Sequence, residues 1–302
     1  MTKRLLSIIL ILLMSLVPSV SYSAFMDWGW GARPAGMGGA FTAIADDANA
    51  PLWNPAGSAQ KECCEVSFMY ARPYLGMTGV NLGLNYASAL LSTSGNAFGI
   101  SWSNFSSSGQ YAENTFCFSY SHMVSRGLFT GFNMKYMGHS FTTDADTRND
   151  PVFDGGLSSK YGFESDVGVL LKLDDKFAIG AAGKNLLQAD MGLLDPDVTE
   201  REIRGGAALY PSDNITAALD VGYRAEKLLI SCGGEAWLPD GKIGLRGGAN
   251  MREGSLCEIT FGASYKERMG NDKALRIDYC FVYPVSIAGF VTSHRVAVSM
   301  EF

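Results

Sequence analysis

The chain has 302 residues, a formal net charge of −6 at pH 7, 18% charged residues and 35 glycines. An acidic chain of this kind is a poor partner for nucleic acid. Its charged fraction also lies below the roughly 25% that is usual for soluble globular domains.

The first 23 residues have the pattern of a secretory signal peptide. Lys3 and Arg4 precede an apolar run at 5–17, and Ser21 and Ser23 suit the positions before a cut ahead of Ala24. The apolar run is too short for a membrane-spanning helix, and no other apolar stretch of helix length follows. An exported chain that spans a membrane would therefore do so with strands.

Residues 31–57 form a glycine-rich and apolar stretch, GARPAGMGGAFTAIADDANAPLWNPAG. It holds too much glycine for a stable isolated helix and is too apolar for a solvated linker. Pro55 pushes Asn54 towards an extended backbone and can itself begin a helical turn. We expect this stretch to be buried against the rest of the chain, and the residues expected to matter there are Gly31, Arg33, Gly36, Gly38, Gly39, Asp46, Asp47, Trp53, Asn54, Pro55, Ala56 and Gly57.

The same stretch, with WNPAG at 53–57, resembles the N-terminal hatch of the FadL-like outer-membrane proteins (OmpP1/FadL), and is most similar to the shorter PorV/PorQ and UPF0164 branch. The resemblance implies an all-β transmembrane barrel in the outer membrane of a Gram-negative-type bacterium, with a hatch or plug inside the lumen. It divides the chain into a signal peptide at 1–23, a hatch at 24–60 and a barrel at 61–302. The alternative for GMGG, a phosphate-binding loop, lacks a preceding strand and a suitably placed acidic residue.

From residue 65 onward, hydrophobicity alternates with a period of two between turn residues. This pattern predicts about 14 antiparallel strands of roughly ten residues, the length that crosses a bilayer when tilted. The predicted strands are 65–72, 78–89, 96–104, 113–123, 128–139, 163–173, 177–187, 201–210, 215–224, 228–237, 242–250, 257–266, 274–283 and 294–302.

The alternation also assigns faces. It predicts that Leu84, Ile277 and Val298 point outward, and that Gly83 and Ser299 point inward. A soluble sandwich would show the same alternation. The chain, however, ends on an aromatic residue, Phe302, inside its last strand, as outer-membrane barrels commonly do.

The connections favour the barrel over the sandwich. Every second connection is a short turn, at 125–127, 174–176, 211–214 and 239–241, whereas the intervening set contains the long pieces at 140–162, 188–200 and 284–293. Outer-membrane barrels place short turns in the periplasm and long loops outside, and a sandwich has no reason to sort its loops in this way.

Fourteen tilted strands close into a cylinder roughly 30 Å across, which side chains from the wall cannot fill. Two interpretations remain for the charges expected to face its lumen: mutual pairing that holds the hatch, or the lining of a permeation path. These charges are Lys184, Arg204, Asp220, Glu235, Arg246, Glu258, Arg276, Asp278 and Arg295.

The sequence offers little sign of catalysis or metal binding. The three histidines are scattered, and the six cysteines fit small apolar positions within strands better than a disulfide framework. Asp144, Asp146, Asp150 and Asp154 lack the spacing of a known calcium loop. We therefore expect no catalytic residue, cofactor or metal.

Two functions follow from the resemblance. FadL implies diffusion of long-chain fatty acids or other hydrophobic compounds, with a hatch that shifts on ligand binding and cargo that leaves sideways into the membrane. PorV implies a binding scaffold of a type IX-like secretion system. The expected partners are outer-membrane lipids, the barrel-assembly machinery and either a hydrophobic ligand or secretion-system proteins, but no nucleic acid.

Overall fold

The computed structural model describes residues 25–144, 147, 150–153, 158–254, 257–270, 273–285 and 291–302. The predicted signal peptide and two of the loop carboxylates, Asp146 and Asp154, lie outside these residues. No helix in the described part of the chain is long and apolar enough to cross a membrane.

The described residues form a closed antiparallel barrel in which each strand pairs with its neighbours in sequence and β1 pairs with β14. Closure leaves no sheet edge, so the barrel prediction is confirmed and the sandwich is excluded. The strands are β1 (Cys63–Leu75), β2 (Leu82–Thr93), β3 (Asn96–Ser107), β4 (Tyr111–Ser125), β5 (Leu128–Phe141), β6 (Ser159–Lys172), β7 (Phe177–Lys184), β8 (Glu202–Ser212), β9 (Ile215–Arg224), β10 (Lys227–Trp237), β11 (Ile243–Arg252), β12 (Cys257–Met269), β13 (Lys273–Pro284) and β14 (Thr292–Glu301).

Most strands extend up to four residues beyond their predicted bounds, whereas β2 and β7 lose three or more residues at one end. β2 begins at Leu82 rather than at residue 78, because the turn before it includes Gly79 with a φ of 80°. β7 ends at Lys184 rather than at residue 187, where Asn185 follows with a φ of 53°. A left-handed backbone interrupts strand pairing, and the shortening of β7 alters the wall as described below.

The face assignment is confirmed for β13 and β14 and wrong for β2. Ile277 and Val298 are 43% and 41% exposed, whereas Ser299 is buried. In β2, however, Leu84 is fully buried and Leu91 is 53% exposed, so Leu84 faces inward and Gly83 outward. The lumen side of β2 is apolar because it packs against an apolar segment inside the barrel, which reverses the usual polarity of the alternation.

That segment, residues 25–60, is here named the N-terminal segment. It contains α1 (Ala32–Gly36), α2 (Ala50–Trp53) and a 3₁₀ helix (Pro55–Gln60). Its backbone donates hydrogen bonds to Thr260 on β12, Asp220 on β9 and Glu65 on β1. Asn133 of β5, across the barrel, donates to the Pro51 carbonyl at 2.6 Å, so the N-terminal segment lies against the inner face of the wall on both sides.

Local structure around Pro55 follows the sequence prediction. Asn54 is extended, with φ −150° and ψ 103°, and Pro55 begins the 3₁₀ helix. The Asn54 side chain accepts a hydrogen bond from the Ala56 N–H at 3.2 Å and donates to the Thr42 and Val169 carbonyls at 2.8 and 3.1 Å. The confirmed turn therefore also fastens the segment to itself and to β6.

The connections are sorted between the two ends of the barrel. The near end, where β1 begins and β14 ends, has short turns such as those at 126–127 and 213–214. The far end has the longer connections at 142–158, 185–201 and 285–291. The predicted division between short and long loops is confirmed.

The wall is interrupted between β6 and β7. The described residues of this strand pair form six residue pairs, from Val167↔Gly183 to Lys172↔Ala178, the fewest of any neighbouring strands. The far half of β6, from Ser159 to Asp166, has no β7 partner because β7 has already ended. The connection at 185–201 lies along this half of β6, and the Leu186 N–H donates to the Ser165 carbonyl at 3.0 Å.

Candidate functional site

Arg33 lies at the centre of a buried charge network that joins the N-terminal segment to the wall. Its guanidinium contacts Asp46 at 2.5 Å and Asp47 at 3.0 Å within the segment, and Glu235 of β10 at 2.9 Å. Only 7% of Arg33 is exposed. A buried cation in this position holds Asp46 and Asp47 of the segment against one strand of the barrel.

The network continues through two arginines of the wall. Arg246 pairs with Glu235, and it also contacts Asp278 at 2.9 Å. Arg276 contacts Asp278 at 2.9 Å and reaches Asp47 of the segment at 3.1 Å. Four of the predicted lumen charges therefore meet in one cluster with the segment.

A second group of predicted lumen charges surrounds the beginning of the N-terminal segment. Lys184 contacts Asp27 at 3.1 Å, and Arg204 contacts Glu202 at 2.7 Å while donating to the Gly39 carbonyl at 3.2 Å. The Arg295 guanidinium donates to the Trp28 carbonyl at 2.8 Å and to the Gly29 carbonyl.

The two remaining predicted lumen charges are held by hydrogen bonds. Asp220 accepts from the Phe41 and Thr42 N–H groups, and Glu258 accepts from Asn250 at 2.9 Å. The nine residues thus pair with one another, with neighbouring polar groups or with the segment, which is the arrangement described by the first of the two interpretations.

Trp53 is packed inside the barrel. It is 3% exposed, its indole N–H donates to the Trp30 carbonyl at 2.8 Å, and Lys184 and Arg204 lie over its ring at 5.3 and 5.5 Å. Cations above an indole face stabilise the packed arrangement. Trp53 therefore ties α2 to the charged side of the lumen.

The interior contains two small cavities beside the segment. The larger, of about 180 Å³, lies among Trp28, Trp53, Tyr74, Glu258 and Arg295. The smaller, of about 70 Å³, lies among residues that include Phe25, Trp30, Phe105 and Lys135. Neither of these two cavities, as lined by the described residues, is large enough for a long acyl chain.

A third cavity, of about 460 Å³ and open to the outside, lies at the far end among the ends of β4 and β5, Val152 and the connection at 185–201. Its lining is mostly apolar: Tyr111, His139, Phe141, Val152, Met191, Leu193 and Leu194, with Asp195 and Asp197 at its rim. The sequence reasoning missed these residues. The apolar pair Leu193-Leu194 within a far-end loop was the signal that could have found them.

Two buried carboxylates of β6 hold the connection at 185–201, since Asp166 accepts from the Asn185 N–H at 2.9 Å and Glu164 makes several further bonds. Glu164 accepts hydrogen bonds from the Leu187 and Ala189 N–H groups at 3.1 and 2.7 Å, and from the Thr199 hydroxyl. The His139 ring donates to the Met191 carbonyl at 2.6 Å. Side chains thus replace the strand pairing that β7 does not supply.

Asp190 stabilises the same connection from within. Hydrogen bonds from the Gly192 and Asp197 N–H groups lower the pKa of Asp190 to about 2, with a further contribution from Lys160. The carboxylate is therefore charged, and its two backbone bonds are present, throughout the neutral range.

The acidic loop at the far end shows local capping. Asp144 accepts from the Thr147 N–H at 2.9 Å, and Asp150 accepts from the Val152 N–H at 2.9 Å. No group of three or more histidine, cysteine or acidic side chains is arranged to hold a metal ion in the part of the chain that the structure describes.

Three solved structures share this architecture. The Ralstonia pickettii toluene transporter TbuX has a TM-score of 0.65 and 14% identity, with 90% of this chain and 97% of that chain covered. The CymD monoaromatic hydrocarbon channel has a TM-score of 0.65 and 12% identity, covering 92% and 98%. A Pseudomonas aeruginosa FadL homologue has a TM-score of 0.60 and 12% identity, covering 94% and 99%.

The fold is that of the FadL-type hydrocarbon transporters. No protein-family model matches the chain, and no curated protein matches it in sequence. At 12–14% identity, the likeness to these solved structures is one of fold.

Proposed function

We propose that this chain is an outer-membrane transporter for hydrophobic compounds, in which the N-terminal segment closes the lumen. The observation that carries the proposal is the apolar far-end cavity of about 460 Å³, placed directly beside the interruption between β6 and β7. A pore for water-soluble solutes has no need of an apolar cavity in this position. Pockets of 300–1,000 Å³ are typical of small-molecule binding.

The lipid-facing surface supports the membrane location. Outward positions carry large apolar side chains around the cylinder, for example Phe68, Ile100, Phe118, Phe163 and Phe261, each 49–62% exposed. A surface of this kind is soluble only when it is covered by lipid or detergent. With the near end in the periplasm, the longer connections face the cell exterior.

The size of the cavities bears on the cargo. The far-end cavity, which lies on the proposed route, has a volume of about 460 Å³, within the range of small-molecule sites. The interior cavity of about 180 Å³ is lined partly by charged side chains such as Glu258 and Arg295, so it is a poor site for an apolar compound. Among hydrophobic compounds we therefore favour those small enough for the far-end cavity.

The proposed route runs from the far-end cavity towards the wall. Met191 lines this cavity and belongs to the connection that covers the far half of β6. Displacement of that connection would expose unpaired strand edge and open the wall to the membrane. Cargo would then leave sideways without passing the charged lumen.

Uptake of radiolabelled toluene and oleate into cells that express the protein tests the proposal. Leu193→Asp places a charge in the far-end cavity and should slow toluene uptake at least several-fold relative to the parent. Leu238→Asp, at a 42% exposed position in a near-end turn, is the matched control and should leave uptake unchanged.

The alternative, a PorV/PorQ-like scaffold for a type IX-like secretion system, gives a different outcome. Cells with and without the protein would then take up both compounds equally, and exported proteins would be recovered with it from native membranes. That pair of results would overturn the transport proposal.

A further inference from the structure

We propose that the inner wall carries three glycine seats that bind the backbone of the N-terminal segment and thereby determine where the segment docks. Each seat consists of two glycines directly opposite each other on neighbouring strands, with an inward polar side chain beside them. This inference concerns recognition within the chain, and it does not depend on which compound is transported.

The first seat is formed by Gly180 of β7 and Gly206 of β8, which are paired in register. A Cβ atom on Gly180 would lie 2.5 Å from the Thr42 carbonyl oxygen. One on Gly206 would lie less than 3.0 Å from Oδ1 of Asp220 on the wall and 3.1 Å from the Thr42 Cβ. Asp220, opposite Gly206 on β9, accepts from the Phe41 and Thr42 N–H groups at 3.0 and 2.9 Å.

The second seat is formed by Gly233 of β10 and Gly248 of β11, again directly paired. A Cβ atom on either glycine would lie less than 3.0 Å from the backbone at Met37 and Gly38. Thr260, opposite Gly248 on β12, accepts from the Gly38 N–H and donates to the Gly36 carbonyl, both at 3.0 Å.

The third seat is formed by Gly131 of β5 and Gly168 of β6. A Cβ atom on either would lie less than 3.0 Å from the segment, at the Ala56 nitrogen or at the Asn54 side chain. Asn133, two residues along β5, donates to the Pro51 carbonyl at 2.6 Å.

The repeated combination needs an explanation, because glycine inside a strand weakens the strand and usually marks a close approach of another backbone. At each seat the wall lacks side chains where the segment's backbone arrives, and it supplies a hydrogen-bonding group to that backbone. Sheet curvature alone does not account for this, because outward glycines next to the seats make no such contacts. A Cβ atom on Gly205 or Gly247 would have no neighbour closer than 3.9 Å.

The glycine seats also explain why the N-terminal segment has many small side chains. Met37, Gly38, Thr42 and Ala56 reach the wall with main-chain atoms, so the residues of this stretch must be compact rather than chemically distinctive. The charge network around Arg33 further stabilises the segment in the position that the glycine seats determine.

Amide hydrogen exchange on the full-length protein in detergent, without any ligand, tests the inference. Gly180→Ala and Gly248→Ala should accelerate exchange of the segment amides at 36–45 by about ten- to a hundredfold, because a methyl group forced into a filled contact displaces its neighbour. Gly205→Ala and Gly247→Ala are the adjacent controls, and their segment amides should exchange at the parental rate.

A second variant covers the case in which an added methyl group prevents assembly. Thr260→Val removes the two hydrogen bonds of the second seat at nearly constant volume, and it should accelerate exchange at residues 36–38 while β12 amides stay protected. Segment amides that exchange equally in seat variants and controls, together with a parental rate in Thr260→Val, would overturn the inference. Accelerated exchange in the seat variants, together with a parent protein that takes up no toluene, would instead count against the transport proposal alone.

Discussion

At the scale of single residues, the lumen is organised by charges that the sequence scatters over 250 positions. Arg33, Asp46 and Asp47 come from the N-terminal segment, whereas Glu235 and Arg276 come from distant strands. Ions are removed from water at a cost of several kcal/mol each unless a partner compensates them. The observed pairing supplies that compensation, so each member depends on the others.

Arg33→Met is the sharpest test at this scale. It leaves Asp47 and Glu235 buried with fewer cations, and removing one partner of a buried ion pair costs roughly 3–5 kcal/mol. We expect the transition of the segment, followed by tryptophan fluorescence during heating in detergent, to move to a lower temperature. The segment itself contains Trp28, Trp30 and Trp53, so the signal reports on it directly.

Lys242→Met is the control for this test. Lys242 and Glu267 also form an ion pair, at 2.8 Å, but both side chains are largely exposed. Exposed ion pairs of this kind contribute little to the free energy of unfolding. Equal transition temperatures for Arg33→Met and Lys242→Met would show that the buried network does not hold the segment.

At the scale of elements, the orientation of each strand decides what a substitution does. β13 presents Ile277 outward at 43% exposure, whereas β11 presents Asn250 to the interior cavity beside Glu258. A positive charge introduced at Ile277 would therefore face lipid, whereas one introduced at Asn250 would face the Glu258 carboxylate. β2 is the exception to simple alternation, because its apolar side faces the segment.

Ile277→Lys should impair assembly, since a lysine facing lipid at mid-membrane costs roughly 2–4 kcal/mol. Asn250→Lys should assemble normally, because its ammonium group can pair with Glu258. The measurement is the fraction of protein that migrates as a folded barrel on unheated gels. If the two variants assemble to the same extent, the assignment of the two faces is wrong.

At the scale of the whole molecule, the wall and the N-terminal segment find partners for their backbone hydrogen-bonding groups in different ways. The strands pair with one another around a closed cylinder, so the backbone of the barrel needs no help from the lumen. The N-terminal segment has only short helices, and it depends on the wall for its hydrogen bonds and its apolar contacts. The wall should therefore fold without the segment, but the segment should not fold without the wall.

Deletion of residues 24–59 tests this division. The shortened protein should remain heat-modifiable on gels, and it should show large, weakly selective conductance in planar bilayers, because an emptied cylinder roughly 30 Å across holds a continuous column of water. The parent protein is the control. A deletion variant that assembles and conducts no more than the parent would show that the segment does not seal the lumen.

The sequence by itself determined the alternating strands, their number, the sorting of the connections and the turn at Asn54-Pro55, because each depends on neighbours within a few residues. Only the tertiary structure decided which residues lie against the segment, as Leu84 and the glycine seats do, because burial there depends on a partner far away in the chain. The same holds for the interruption beside β6. β7 ends at Lys184, three residues before its predicted end, and Glu164 accepts hydrogen bonds from the connection that follows β7. The local sequence pattern determines the period of the strands and their approximate length. The N-terminal segment inside the barrel determines where an apolar strand face turns inward.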